Sequence, residues 1–376
     1  MNYTKEDILK VLETISAPGD DKNLVESGAV NEVAVQDKVV AVEISIQNPS
    51  LQAKKKMEVD VMKAIHKELN EKLDVKVNVK STSINVKPLT TTKGKSIPGV
   101  KNIIAVASGK GGVGKSTVTA NLAVSLSKMG FKVGILDSDV YGPSMPIMFG
   151  VAGEKPTGVT VNGRSMIKPI ESYGVKMLSL GFFTDPNQAV IWRGAMANKA
   201  LDQMLFDADW GELDFMLIDL PPGTGDIHLS IVQNIPVTGA VIVSTPQNIA
   251  LADAKRGVAM FQQADINVPV LGIVENMSYF TPEECPENKY YIFGKDGAKN
   301  LGEDLETAFL GEIPLVQSIR ESGDVGRPVA LQEDSPLEEA FAEVTRNMLT
   351  QLVKRNETLP PTEIVRITNM SGCSTS

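Results

Sequence analysis

The sequence predicts an α/β protein: a mostly parallel sheet covered by helices on both faces, preceded by a small α+β domain. Three observations carry this expectation. From Asn102 onward, apolar β-branched runs alternate with helix-length segments, the pattern of parallel strands joined by crossover helices. One of these junctions passes from an apolar run, residues 103–107, through a glycine-rich stretch into a helical pattern (Val118, Leu122, Ala123, Leu126), which makes a strand–loop–helix unit. The first part of the chain is different in kind, running helix, two strands, helix and strand. At 376 residues there is room for two domains of about 150 residues each.

Residues 4–16 read as a helix, with Thr4 as N-cap and Ile8, Val11, Leu12 and Ile15 at helical spacing. Residues 30–35 and 39–46 are apolar and β-branched, with Asp37-Lys38 between them, so a hairpin is expected. Residues 51–73 form a charged helix with Val59, Met62, Ile65 and Leu69 on one face, and residues 75–79 alternate as a strand. Lys54-Lys55-Lys56, at the start of that helix, reads as a solvated face. This first domain spans residues 1–87, and the Thr-, Gly-, Lys- and Pro-containing segment 88–99 is a linker. The second domain covers 100–357. Its strands are expected near 103–107, 133–137, 215–219, 240–244 and 270–275, and its last strong helix at 336–354. Residues 151–193, with short β-like pieces at 159–161 and 176–178, read as an insertion. The tail, 358–376, is expected to be loosely ordered after Pro360-Pro361.

Composition narrows the function classes. A net charge of −9 argues against broad nucleic-acid binding and against a polybasic membrane surface, so neither partner is expected. No run of 18 apolar residues is present to span a bilayer. The first residues, charged from Lys5 onward, lack the apolar centre of a signal peptide. Two cysteines, Cys285 and Cys373, cannot build a disulfide framework, and a reducing cytoplasm is the expected location.

The chemistry concentrates in Gly109-Lys110-Gly111-Gly112-Val113-Gly114-Lys115-Ser116-Thr117, which fits G-x-x-x-x-G-K-S/T directly after a strand and before a helix. Glycines let successive backbone N–H groups turn toward an anion, and the helix N-terminus adds partial positive charge. Lys115 is then placed to reach terminal phosphates, and the Ser116 hydroxyl to hold Mg2+. Hydrolysis also needs a metal-supporting carboxylate and a positioned water. The run 215–218 ends in Asp219, followed by Leu-Pro-Pro-Gly-Thr-Gly-Asp. That is where an acid supporting Mg2+ belongs, and Gly223 and Gly225 supply a loop able to sense a γ-phosphate. The strand at 133–137 ends in Asp137-Ser138-Asp139. Asp137 is read as supporting Mg2+ and Asp139 as orienting the attacking water; both also suit a plain turn. Lys110 lies too early in the loop to share the Lys115 pocket easily. It is read as reaching across a two-fold interface to a partner's nucleotide, as an arginine finger does.

The stretch GKGGVGKST, together with DSDVYGPS, DLPPGTGD and Asn276-Met277-Ser278, resembles the Mrp/ApbC family of deviant-Walker-A, MinD/ParA-like P-loop ATPases that carry iron–sulfur clusters. The resemblance covers residues 98–350, and Trp192-Arg193-Gly194 also matches it. The N-terminal module resembles the small SufT/PaaD-like assembly domain. What this implies is an ATP-hydrolysing carrier that works as a nucleotide-sandwich homodimer, with Lys110 as the signature lysine and Lys115, Ser116 and Thr117 around ATP and Mg2+. It further implies Asn276 as an adenine contact, Pro314 beside the base, and iron–sulfur apoproteins and assembly factors as partners. The sequence departs from the family at the cluster ligands. The family's usual C-x-x-C follows N-M-S, whereas here Pro282 stands at the first cysteine position and only Cys285 remains. One thiolate per subunit falls short of the four that a 4Fe–4S cluster takes, and Cys373 is the candidate for the missing pair in a dimer. His228 follows the Asp219 loop, where it either feels the nucleotide state or simply starts a helix. His66 reads as a boundary residue. A positioning ATPase, or an assembly ATPase that holds no cluster, are the competing readings; a nitrogenase-reductase-like donor fits least, with no cysteine between 137 and 230.

Overall fold

A computed structural model describes residues 3–15, 23–36, 39–46, 51–70, 73–81, 96–140, 142–183, 194–225, 228, 231–232, 234–263, 266–282, 284–285 and 287–360. Cys373, Trp192, Arg193, most of the 88–99 segment and the end of the tail lie outside them. The chain divides into two compact units, the first covering Met1–Val86 and the bulk of the second running from Lys87.

In the first unit, α1 (Lys5–Leu12) starts at Thr4, whose hydroxyl accepts the Asp7 N–H while the Asp7 carboxylate accepts the Thr4 N–H, a reciprocal cap. It buries Ile8, Val11 and Leu12. Strand β1 (Val30–Gln36) is antiparallel to β2 (Val39–Ile46), and β2 is parallel to β3 (Asp74–Ser81). A parallel pair needs a crossover, and α2 (Leu51–Glu68) supplies it. The apolar face of α2 differs from the expected one. Met57, Val61 and Ile65, four residues apart, are buried, whereas Val59 is 45% and Met62 37% exposed. Four-residue spacing keeps a stripe on one side of a helix, and Val59 and Met62 fall well off it. The helix also stops sooner than expected, and a ring nitrogen of His66 lies 2.9 Å from the Leu73 carbonyl oxygen, tying the helix end to the start of β3.

The second unit is built on an eight-stranded sheet. Its strands in chain order are β4 (Val100–Ala107), β5 (Val133–Asp137), β8 (Ile170–Ser172), β9 (Val175–Ser179), β10 (Leu213–Asp219), β11 (Gly239–Ser244), β12 (Val270–Asn276) and β13 (Phe309–Ile313). Their spatial order is β13-β12-β11-β4-β10-β5-β9-β8, and every neighbouring pair is parallel except β8 with β9. The mostly parallel α/β architecture is as expected, and β5, β10 and β11 are buried along nearly their whole length, as strands covered on both faces must be. The 151–193 segment is only partly an insertion. Strands β6 (Thr157–Val161) and β7 (Arg164–Lys168) form a separate hairpin, while β9 extends the main sheet beside β5. Lys176 interrupts the apolar run of β9, and its ammonium donates to the Trp210 carbonyl at 2.9 Å. The edge strand β13 was not expected; Gly311 and Glu312 break its apolar signal.

The helices of this unit are α3 (Lys115–Lys128), the one-turn α4 (Met145–Met148), α5 (Gly194–Phe206), α6 (Asn248–Gln262), α7 (Gly297–Asp304), α8 (Gln317–Asp324) and α9 (Pro336–Thr358). Helix α9, capped by Ser335 with Pro336 in its first turn, buries Phe341, Val344, Met348 and Leu352 and packs on β13 and β12. No described helix is long and apolar enough to cross a membrane. Register brings the carboxyl ends of three adjacent strands together: Asp219 of β10 lies opposite Val106 of β4 on one side and Asp137 of β5 on the other. Open parallel sheets bind their ligands at such ends.

Candidate nucleotide site

The loop leaves β4 at Ala107 and enters α3 at Lys115. Gly112 and Gly114 have φ of +82° and +80°, the left-handed region that lets consecutive amides turn to one side. Gly114 is fixed by space as well as by φ, since a Cβ there would run into the Asn276 amide. Gly109 faces the Asp253 backbone of α6 so closely that a side chain has no room. The Ser108 hydroxyl donates to the Lys110 carbonyl at 3.0 Å and the Ser108 carbonyl accepts the Gly223 N–H at 2.9 Å, which joins this loop to the one after Asp219.

Asp219 is fully buried and gathers the polar groups of the site. The Lys115 ammonium, 6% exposed, lies 2.7 Å from Oδ2. The Ser116 hydroxyl donates to the same oxygen at 2.7 Å, and the Lys115 Nζ is 3.2 Å from the Ser116 Oγ. Thr119, one turn into α3, is marked by none of the sequence motifs. Its hydroxyl sits 2.7 Å from Asp219 Oδ1 and 3.0 Å from the Lys115 carbonyl, sharing one proton between them. Its i+4 spacing from Lys115 is the signal that would have found it. Ser138 donates both its N–H, at 3.0 Å, and its hydroxyl, at 2.7 Å, to the Asp219 carbonyl.

Asp137 lies beside Asp219, also fully buried. Its carboxylate accepts the Ser179 hydroxyl at 2.8 Å and the N–H groups of Met145 and Asp139 at 3.2 Å. Burial first, and then the neighbouring Asp219 carboxylate, push Asp137 up to about 7 despite those donors. Asp139 accepts the Gly142 N–H at 3.2 Å, so its carboxylate closes a turn in this structure. Hydroxyl and carboxylate oxygens from Ser116, Asp219 and Asp137 are the hard donors Mg2+ takes, few enough to leave positions for phosphate and water, so the residues fit that ion. The Lys110 side chain is exposed, unlike that of Lys115.

Asn276 ends β12 and donates from Nδ2 to the Val113 carbonyl at 2.8 Å, against the loop. The buried Pro314 follows Ile313, which is opposite Asn276 in register. Ser278 donates its N–H to the Ile313 carbonyl at 3.0 Å, and Leu315 donates to the Tyr279 carbonyl at 2.7 Å. Glu275, which no motif marks, accepts the Ala298 N–H at 2.6 Å; burial raises its pKa. Thus the strand end that touches the glycine loop also carries the segment leading to Cys285. Cys285 is exposed, in a turn where its N–H donates to Pro282 and its carbonyl accepts the Asn288 N–H. Among the described residues no group of three His, Cys, Asp or Glu side chains is placed to hold a metal ion. The structure brings Lys115, Ser116, Asp137, Asp219 and Asn276 to one end of the sheet and leaves Cys285 on an exposed turn.

Residues 99–349 match a family model described as NUBPL iron-transfer P-loop NTPase. The chain belongs to this family. Residues 5–79 match a second model, described as iron-sulfur cluster assembly protein. An iron-sulfur cluster carrier protein of Synechocystis is 42% identical over 88% of this chain and 92% of its own length. A protein of the same description from Aquifex aeolicus is 50% identical over 69% of this chain and 70% of its own. Among solved structures, a nucleotide-binding protein from Archaeoglobus fulgidus in complex with ADP is 40% identical. It superposes with a TM-score of 0.54 and covers 63% of this chain and 90% of its own. Membership in a P-loop NTPase family and the geometry at Asp219 both make this end of the sheet the candidate nucleotide site.

Proposed function

We propose that the chain is an ATP-hydrolysing carrier of iron–sulfur clusters that works as a nucleotide-sandwich homodimer and delivers clusters to apoproteins. The observation that carries the nucleotide chemistry is the contact of buried Asp219 with both Lys115 and Ser116. Glycine-loop amides and Lys115 bind the triphosphate, Asn276 and Pro314 flank the base, and Asp139 orients the attacking water. Mg2+, supported by Ser116, Asp219 and Asp137, supplies charge neutralisation at the phosphate oxygens. Exposed Lys110 reaches the nucleotide of the partner protomer and stabilises charge as the terminal phosphate leaves. The cargo reading rests on family membership and on relatives described as cluster carriers. Cys285 contributes one cluster thiolate per protomer and Cys373 is assigned the second, which brings a dimer to four.

The experiment is anaerobic reconstitution of the full chain with iron and sulfide, followed by absorption and metal analysis with and without ATP. Iron and sulfide bound per dimer, diminished in Cys285→Ser and Cys373→Ser variants, support the carrier reading. A second reading is favoured by Pro282 at the position where the family carries its first cluster cysteine: an assembly ATPase that serves cluster transfer without holding the cluster. ATP turnover with no iron or sulfide retained would decide for it. A membrane-recruited positioning ATPase has less support, because α9 is docked on the sheet through its apolar face.

A further inference from the structure

His228 follows the Asp219 loop and is helical, and its backbone N–H donates to the Gly225 carbonyl at 3.1 Å. Its side chain is only 1% exposed. Neither Nδ1 nor Nε2 has a hydrogen-bond partner. The carbonyls of Gly225 and Pro221, the two ends of the turn Pro221–Gly225, lie beside the ring without closing a bond to it. Burial first, and the nearby Lys115 ammonium with it, pull the imidazole down to about 4, so the ring is neutral and carries one N–H donor at ordinary pH. A buried imidazole that satisfies neither nitrogen is costly, and such a group calls for a functional explanation.

The turn beside the ring is tied to the candidate nucleotide site. It is joined to the glycine loop through Gly223 N–H to Ser108 carbonyl, and Gly223, with φ of +94°, gives it freedom to move. It begins two residues after Asp219, which holds Lys115 and Ser116.

We propose that His228 is a positioning residue for ATP hydrolysis: when the terminal phosphate is bound, its N–H closes onto a carbonyl of the Pro221–Gly225 turn and holds that turn in its hydrolytic conformation. This rests on the ATPase reading given above and adds to it the group that fixes the switch turn. His228 does not touch the nucleotide, so its loss affects turnover far more than affinity. Glutamine, which keeps an N–H donor at similar reach, substitutes for it; an apolar ring does not.

The test uses the full chain in three forms: wild type, His228→Gln and His228→Phe, with His228→Met as a second apolar variant should the phenylalanine form melt early. Affinity for a non-hydrolysable ATP analogue, steady-state ATP turnover, and analogue-induced protection of residues 221–232 in amide hydrogen exchange are measured for each. The expected result is analogue affinity within about twofold of wild type in all forms and kcat about tenfold lower in the apolar variants with KM little changed, the cost of one hydrogen bond made only in the closed state. His228→Gln retains most of the turnover, and analogue-induced protection is seen in wild type and His228→Gln but not in the apolar variants. Wild-type kcat in an apolar variant, or equal losses in the glutamine and apolar forms, would overturn the positioning role while leaving the ATPase reading intact. Absence of ATP turnover in the wild type itself would instead be a failure of that reading, and the proposal falls with it.

Discussion

Two lysines five residues apart differ in burial, and the roles proposed for them follow from that difference. Lys115 is buried against Asp219, whereas the Lys110 side chain is exposed. Lys115→Ala removes the charge that meets the phosphates and is expected to weaken nucleotide binding by at least a hundredfold, the scale seen when a charge-assisted hydrogen bond is deleted from a water-poor site. Lys110→Ala is expected to weaken analogue binding far less than Lys115→Ala does and to lower kcat by about a thousandfold, as removal of a charge supplied in trans does. Titration binding and turnover assays separate the two, and normal turnover in Lys110→Ala would remove the trans role. Asp137 gives a pH prediction. Its folded-state pKa is raised from the ordinary 3.8 to about 7. Between those values the folded chain binds more protons than the unfolded chain, so the nucleotide-free fold loses stability as pH rises from about 4 to 7. Urea midpoints measured across that window should fall less in Asp137→Asn than in wild type, and equal slopes would contradict the assignment.

At the level of single elements, the glycine loop shows what sequence can and cannot say. The motif placed Gly109 to Thr117 between a strand and a helix, because the spacing itself encodes the cradle. It did not reveal that Gly109 abuts the Asp253 backbone or that Gly114 abuts Asn276, since those neighbours come from distant segments. Gly112 and Gly114 share a positive φ, but a Cβ at Gly112 meets open space. Gly112→Ala is therefore expected to cost about 1 kcal/mol from backbone strain alone. Gly114→Ala adds the collision with Asn276 and should cost clearly more, read as the shift in urea midpoint. Helix α2 makes a second comparison. Its helical period was legible, but its face only in part: Ile65 and Leu69 meet the core as expected, while packing chose Met57 and Val61 over Val59 and Met62. Ile65→Ala is expected to cost about 2–5 kcal/mol, whereas Val59→Ala should stay within about 0.5 kcal/mol.

For the whole molecule, strands that are buried on both faces were legible as continuous apolar runs, and their succession gave the parallel sheet. The β-like piece at 176–178 was read as part of an insertion, whereas β9 joins the main sheet beside β5; β13 was missed because Gly311 and Glu312 break its pattern, and pairing with β12 compensates for that. Asp137 and Asp219, proposed to support Mg2+, stood out in the sequence because each ends such a strand, while Thr119, Ser179 and Glu275 gain their contacts only from three-dimensional proximity. The same end of the sheet carries the exposed Lys110, which is proposed to reach the nucleotide of a second copy of the chain. Light scattering of the full chain, with Mg2+ and either ADP or a non-hydrolysable ATP analogue, tests this most directly. Two chain masses with the analogue, and one with ADP or in Lys110→Ala under either nucleotide, is the predicted result. One chain mass at saturating analogue, in a wild-type protein that still turns over ATP at its full rate, would contradict it.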